Sequence, residues 1–185
     1  MIRPASEEDA DAIARIYAPY VEETWISFED RAPNAAEMRA RMRDGMGEHP
    51  WLVAADEGGG VLGYAYASKH RARAAYRWSA DVSVYVDRAQ HRQGIGARLY
   101  KRLLEILRRQ HFRACYAGIA LPNAASVGLH ERMGFAHVGI YRDVGFKLGA
   151  WRDVGWWALT LAEGGAALPE PLAYAQLRCA SRLDP

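Results

Sequence analysis

The chain has 185 residues, half of them apolar and a quarter charged, a composition that suits one folded domain and excludes a disordered chain. A net charge of +2 is too near neutral for a general nucleic-acid binder, and two cysteines, Cys115 and Cys179, exclude a disulfide scaffold and a cysteine-held zinc site. No stretch approaches the ~18 consecutive apolar residues of a membrane span. The segment after Met1 lacks the apolar run of a secretion signal, so a cytoplasmic location is expected.

Ser6 followed by Glu7, Glu8 and Asp9 reads as a helix start, a hydroxyl cap with acids at the positive end of the dipole. Ile13, Ile16, Tyr17, Tyr20 and Val21 continue it at helical spacing to residue 21. Asn34 and Glu37 form the pattern of a capping box for a second helix that ends near Gly45. Residues 51–55 and 61–67 read as strands joined by Gly58-Gly59-Gly60. A basic stretch from Lys69 to Arg77 precedes a strand expected from Trp78 to Val86.

The Gly94-Ile95-Gly96 turn opens a helix with Leu99, Leu103, Ile106 and Leu107 on its inner face and arginines on its outer one. A short strand over 114–119 follows, then a helix from Pro122-Asn123 to Met133, closed by Gly134. Two last strands are expected, 135–141 and 154–161, around an aromatic-rich loop, Phe146 to Trp157. Gly, Ala and Pro then break every period, so the division expected is a domain over 1–162 and a loosely attached tail over 163–185.

A strand that runs into a glycine turn and a helix start offers unpaired peptide N–H groups and the positive end of a dipole, the means of binding a phosphate. Leu99 stands where a dinucleotide fingerprint needs a third Gly or Ala, and no Gly-Lys-Ser/Thr follows. Taken alone, Gly94-Ile95-Gly96 fits a structural turn as well as an anion site. The six histidines lack paired metal-ligand spacing, so no metal is expected, and no G-x-S-x-G elbow suggests a hydrolase.

His91-Arg92-Gln93-Gly94-Ile95-Gly96 resembles the pyrophosphate-binding Gln/Arg-x-x-Gly-x-Gly/Ala motif of the GCN5-related N-acetyltransferase superfamily, with His in the first position as a departure. Asn123 to Ser126 and Leu129 to Phe135 resemble its pantetheine-flanking helix and the strand after it. Segments 76–81, 83–86, 121–123, 129–131 and 145–155 are similar to its phosphinothricin and methionine sulfoximine acetyltransferase group, over roughly residues 2 to 161.

The resemblance implies a mixed α/β fold with a twisted, mostly antiparallel sheet of six or seven strands flanked by helices. It also implies direct acetyl transfer from acetyl-coenzyme A, within a ternary complex, to the α-amino group of a small amino acid or analogue. The cofactor would lie between splayed fourth and fifth strands, held by Val84, Tyr85, Val86, Arg92, Gln93, Gly94, Ile95, Gly96, Ala97, Asn123 and Ser126, with the Val84 N–H meeting the oxyanion. Asp81 stands where the group has a Glu base and is one methylene shorter, so it is expected to act directly or through water. His130 is the candidate acid for the thiolate. Arg71, Arg73, Tyr76, Phe28 and Glu29 match the group's substrate-binding segments, where Arg would take a carboxylate.

A homodimer is implied, with the aromatic segment 146–157 at the interface or over the pocket. Neither nucleic acid nor membrane is expected as a partner. Alternatives left open are an acetyltransferase of another amine (polyamine, aminoglycoside or protein N-terminus), a non-catalytic acyl-coenzyme A sensor, and an interaction module whose glycine turn binds nothing.

Overall fold

The computed structural model describes residues 1–163 and 168–181. Seven strands form one sheet in the order β1-β2-β3-β4-β5-β7-β6. They are β1 (Ile2–Pro4), β2 (Trp51–Ala55), β3 (Val61–Lys69), β4 (Ser79–Val86), β5 (Ala114–Ala120), β6 (Ala136–Lys147) and β7 (Ala150–Thr160). The helices are α1 (Ala10–Glu22), α2 (Ala35–Gly45), α3 (Ile95–Arg109), α4 (Ala124–Arg132) and α5 (Tyr174–Ser181). Neighbouring strands are antiparallel except β4 and β5, which run parallel.

Each face of the sheet carries its own core. Ala80 and Val82 of β4 and Cys115, Ala117 and Ile119 of β5 pack under α3, whose Leu99, Leu103 and Leu107 are fully buried. Cutting Leu103 to Ala would cost about 2–5 kcal/mol in such a site. Ile13, Tyr17 and Tyr20 of α1 and Met38 and Met42 of α2 pack with Trp51, Val53 and Tyr64 against the opposite face. Alternation along β4 therefore sends Asp81, Ser83 and Tyr85 to the α1 side.

The helix starts are built as the sequence suggests, with one difference. Asn34 Oδ1 accepts from the Glu37 N–H and Glu37 returns the bond to the Asn34 N–H. At the first helix it is the Asp9 carboxylate that takes the Ser6 N–H, at 2.8 Å, while Arg3 clamps both its oxygens.

Two expectations need correction. The segment 146–157 is no loop, because β6 and β7 pair almost to their tips through a two-residue turn at Leu148-Gly149, both with positive φ. The strand signal is hidden by a bulge between Tyr141 and Gly145, where the Asp153 carboxylate accepts from the Asp143 N–H and from Arg142. Nor is the C-terminal stretch loose: Tyr174 and Leu177 enter the α3 core, and Gln110 Nε2 donates to Leu172 O at 2.7 Å. Arg77 pairs with Glu170 and the Trp78 indole N–H donates to Pro169 O. Of the tail first expected, 164–167 and 182–185 lie outside the described residues.

Candidate active site

The site begins where the sheet comes apart. β4 and β5 pair through Ser79–Asp81 against Ala114–Tyr116 and no further. Trp78 O accepts from the Arg113 and Ala114 N–H groups on the β5 side, whereas the Asp87 N–H donates to Leu62 on the β3 side. Peptide groups alternate along a strand, so the Val82 N–H closes the ladder on Tyr116 O, while the Val82 carbonyl and the peptide groups of Val84 and Val86 turn toward β5 and find no strand partner there. By the same parity Gly118 and Ala120 of β5 turn toward β4, since the Leu121 N–H donates to Asp153 O of β7. The open seam is lined by Val82–Tyr85, Ala117–Ala120, Tyr100, Asn123, Ser126 and His130.

This parity divides the expected cofactor-binding trio. Val84 and Val86 offer peptide groups to the seam, but the peptide of Tyr85 belongs to the β3 ladder. The Tyr85 ring packs edge-on to Tyr17 at 4.8 Å and Tyr20 at 5.2 Å, and it lines the seam and the adjoining cavity. The Val86 carbonyl already accepts from the Tyr20 hydroxyl.

The glycine turn closes the far end of the seam. Arg92 has φ +63° and Gly94 φ +73°, so the chain enters α3 through the left-handed region. The first helical bond runs from the Arg98 N–H to Gly94 O, which leaves the N–H groups of Ile95, Gly96 and Ala97 as first-turn donors. Ile95 is buried and anchors the turn. A Cβ on Gly94 meets nothing within 4 Å, while one on Gly96 would stand 3.2 Å from Leu129 Cδ2. Conformation requires the first glycine and close helix packing the second. Arg92 is exposed, Gln93 is bonded to Gln90, and Arg98 Nη1 reaches Gln93 O at 3.4 Å.

On α4, Asn123 caps the helix by accepting the Ser126 N–H. His130 is buried, with Nδ1 2.8 Å from Ser126 O and Nε2 2.9 Å from the Tyr100 hydroxyl. A carbonyl can only accept, so Nδ1 carries the proton, and in the neutral ring Nε2 accepts from Tyr100. Burial lowers the His130 pKa despite the bond to Ser126, which favours that neutral ring.

Asp81 sits at the apex, where pairing stops. Burial raises its pKa, and the hydrogen bond from His70 with the charges of His70 and Arg71 offsets this in part. The Arg71 guanidinium lies over the Trp156 ring at 5.6 Å, and Tyr76 meets His70 edge-on. Arg73 is exposed at the start of the turn 74–76, with no side-chain contact to Asp81.

A second cavity adjoins the seam, lined by Tyr17, Ile26–Glu29, Tyr85, Gly118, Ala120 and Val154. Phe28 packs on Gly145, where any Cβ would collide with its ring. Glu29 is held by both Arg41 nitrogens at 2.7 Å and by the Tyr17 hydroxyl, and its pKa is lowered chiefly by the Arg41 bond. The Lys147 ammonium donates to the Glu29 carbonyl. Glu29 thus fixes the cavity loop and has no unoccupied charge to offer.

Sequence reading missed Tyr20, Tyr100 and His70. The two tyrosines sit at core positions of α1 and α3, where the polar tip is invisible to periodicity. His70 precedes a loop whose hairpin register, Ser68 opposite Asp81, would have brought it there.

The unpaired seam and the first-turn donors fit a molecule with an amide-bearing arm and a diphosphate. Among the described residues no group of three His, Cys, Asp or Glu could hold a metal, and no helix is long and apolar enough to cross a membrane. Residues 2–156 match the family model described as an acetyltransferase (GNAT) domain. The chain is 39% identical over 156 residues to a phosphinothricin N-acetyltransferase of Streptomyces viridochromogenes, covering 84% of this chain and 85% of that protein. It is 38% identical over 164 residues to an L-methionine sulfoximine/L-methionine sulfone acetyltransferase of Pseudomonas paraeruginosa, covering 86% and 94%. A crystal structure of a phosphinothricin acetyltransferase from Sinorhizobium meliloti in complex with AcCoA superimposes with a TM-score of 0.87 at 35% identity, covering 93% of this chain and 92% of that one. An opened β4–β5 seam, a glycine turn at a helix start and these likenesses together identify the chain as a member of the GNAT acetyltransferase family.

Proposed function

We propose that this protein transfers the acetyl group of acetyl-coenzyme A to the α-amino group of a small amino acid of the phosphinothricin or methionine sulfoximine type. The observation that carries the reading is the seam itself, with the Val84 peptide and the Val86 N–H free of any strand partner between the glycine turn and a partly buried carboxylate at the apex. Acetyl-coenzyme A, bound along it, supplies an activated carbonyl.

Every other part belongs to the chain. The N–H groups of Ile95, Gly96 and Ala97 receive the diphosphate, with Arg92 and Arg98 adding charge. The Val84 N–H donates to the oxygen on which charge develops. Asp81 marks the end of the seam at which the substrate ammonium loses its proton, directly to the carboxylate or through a group bonded to it, and Arg71 takes the substrate carboxylate beside it. A direct acid role for His130 would need a second proton in a buried ring, so its part is to hold the Tyr100 hydroxyl at the seam wall, where it can turn to a departing thiolate.

The reading includes a homodimer. Tyr141, Val144, Phe146, Leu148 and Trp151 are about half exposed or more on the β6–β7 hairpin, a row of apolar side chains that a second copy would cover. It also includes a cytoplasmic location, supported by two unpaired cysteines. The test is free-thiol release from acetyl-coenzyme A against phosphinothricin, methionine sulfoximine, methionine sulfone and a set of polyamines. Turnover with the amino-acid analogues is expected; turnover confined to polyamines, or none, would refute the reading.

A further inference from the structure

His70 belongs to no motif, yet its ring touches the carboxylate at the closed end of the seam. Nδ1 lies 2.6 Å from Asp81 Oδ1. An ionised carboxylate can only accept, so the proton of this bond sits on Nδ1, and in the neutral ring Nε2 carries the lone pair.

The ring is fixed on its other sides as well. It stacks on Tyr116 at 4.4 Å with planes 17° apart, and meets Tyr76 and Trp156 edge-on at 6.0 and 6.3 Å. Its side chain is 11% exposed, and among the described residues nothing hydrogen-bonds Nε2. Trp156 in turn packs over Gly118, where a Cβ would stand 3.2 Å from the indole, and Gly118 lines both the seam and the adjoining cavity. The imidazole therefore rests against the ring that backs the seam wall.

The pairing repeats a known division of labour, in which a carboxylate fixes the tautomer and direction of an imidazole whose other nitrogen takes the proton. It also answers the shortness of Asp81, because the ring extends the reach of a carboxylate whose Oδ1 is already engaged.

We propose that His70 Nε2 takes the proton from the substrate ammonium and that Asp81 is a positioning residue, which holds the ring hydrogen on Nδ1 so that the lone pair of the neutral ring lies on Nε2. The proposal rests on the acetyl-transfer reading above and names the atom that performs its first step. An N–H bond of the ammonium breaks, its electron pair stays on nitrogen, and an Nε2–H bond forms. The imidazolium, its charge offset by Asp81, returns the proton to water between turnovers.

Two readouts test it. Imidazole 15N shifts of the protein alone should show His70 as the Nδ1–H tautomer, and Asp81→Asn should convert it to Nε2–H, because a side-chain amide can donate to Nδ1. An Nε2–H tautomer in the unmodified protein would overturn the proposal. In kinetics, H70Q and H70F should each lower kcat about 100-fold or more, with the KM for acetyl-coenzyme A unchanged; the Phe variant keeps a ring over Tyr116. D81N should add little in the H70Q background, as members of one unit do. Unchanged kcat in both His70 variants beside a large loss in D81N would make Asp81 the base and overturn this proposal while leaving acetyl transfer standing. No transfer by the unmodified protein with any amine would remove both.

Discussion

The Tyr20 hydroxyl donates to the Val86 carbonyl at 2.5 Å and so ties α1 to the end of β4 just before the glycine turn. The same hydroxyl lies 2.9 Å from His91 Nε2, so the histidine that departs from the family motif has a partner of its own. Its side chain braces the turn, and the open donors at the start of α3 are peptide groups.

Tyr20→Phe should therefore loosen the turn without touching the chemistry. The hydroxyl makes two partly buried hydrogen bonds, to Val86 O and to His91 Nε2, each worth about 1 kcal/mol of stability. We expect a KM for acetyl-coenzyme A raised several-fold and a kcat near that of the unmodified protein, both read from steady-state kinetics.

The two glycines of the turn should separate in the same assay. Gly94→Ala forces a side chain into φ +73°, which costs about 1 kcal/mol or more and misdirects the first-turn donors, so cofactor affinity should fall. Gly96→Ala meets the movable end of Leu129 at 3.2 Å and should cost less. Calorimetric titration with coenzyme A distinguishes them.

Arg71→Ala should raise the KM for an amino-acid substrate about 10-fold or more, the usual loss for a charged hydrogen bond, and leave the KM for acetyl-coenzyme A unchanged. Equal effects on both would remove Arg71 from substrate recognition. Arg73→Ala, at an exposed position away from Asp81, should change neither.

Asp81 gives a pH dependence of definite sign. Burial raises its folded pKa above the ordinary 3.8, with His70 and Arg71 offsetting in part. The folded protein then binds this proton more tightly than the unfolded chain does. The resulting stabilisation is fully present below pH 3.8 and is lost as pH rises through the folded value. Above that range the ionised carboxylate is a net cost, so Asp81→Asn should raise Tm at pH 7 while activity falls. Thermal melts of both proteins across pH should converge at the acidic end.

The fold was largely legible because its periods are clean. α3 shows its buried face in Leu99, Leu103 and Leu107, and Gly94 announces the turn because few other residues accept its φ. The β6–β7 hairpin was not, because its bulge at Tyr141–Gly145 breaks the alternation and its turn is Leu-Gly, without the usual Asn or Asp. The C-terminal helix was hidden because Tyr174 and Leu177 are buried by long-range contacts that no local pattern reports. Within the site, motif positions were readable, but the use of each peptide group was not. That Tyr85 turns its peptide to β3 and Val84 to the seam follows from strand parity, which needs the register. The pairing of His70 with Asp81 likewise needs the hairpin register, since a lone histidine in a basic run carries no signal.

The exposed hairpin makes the proposed dimer testable on its own. Trp151→Glu, on a residue 62% exposed, should shift the protein toward the monomer in sedimentation velocity at micromolar concentration, with the fold intact by circular dichroism. A monomer before the substitution would contradict the dimer.

The most direct measurement of the central claim is an amide-resolved titration of the 15N-labelled protein with coenzyme A. The account predicts saturable shifts concentrated at Val84 and Val86 and at Arg92 through Ala97, where open amides line the seam and the turn. Shifts confined to other surfaces, or none at millimolar ligand, would contradict it.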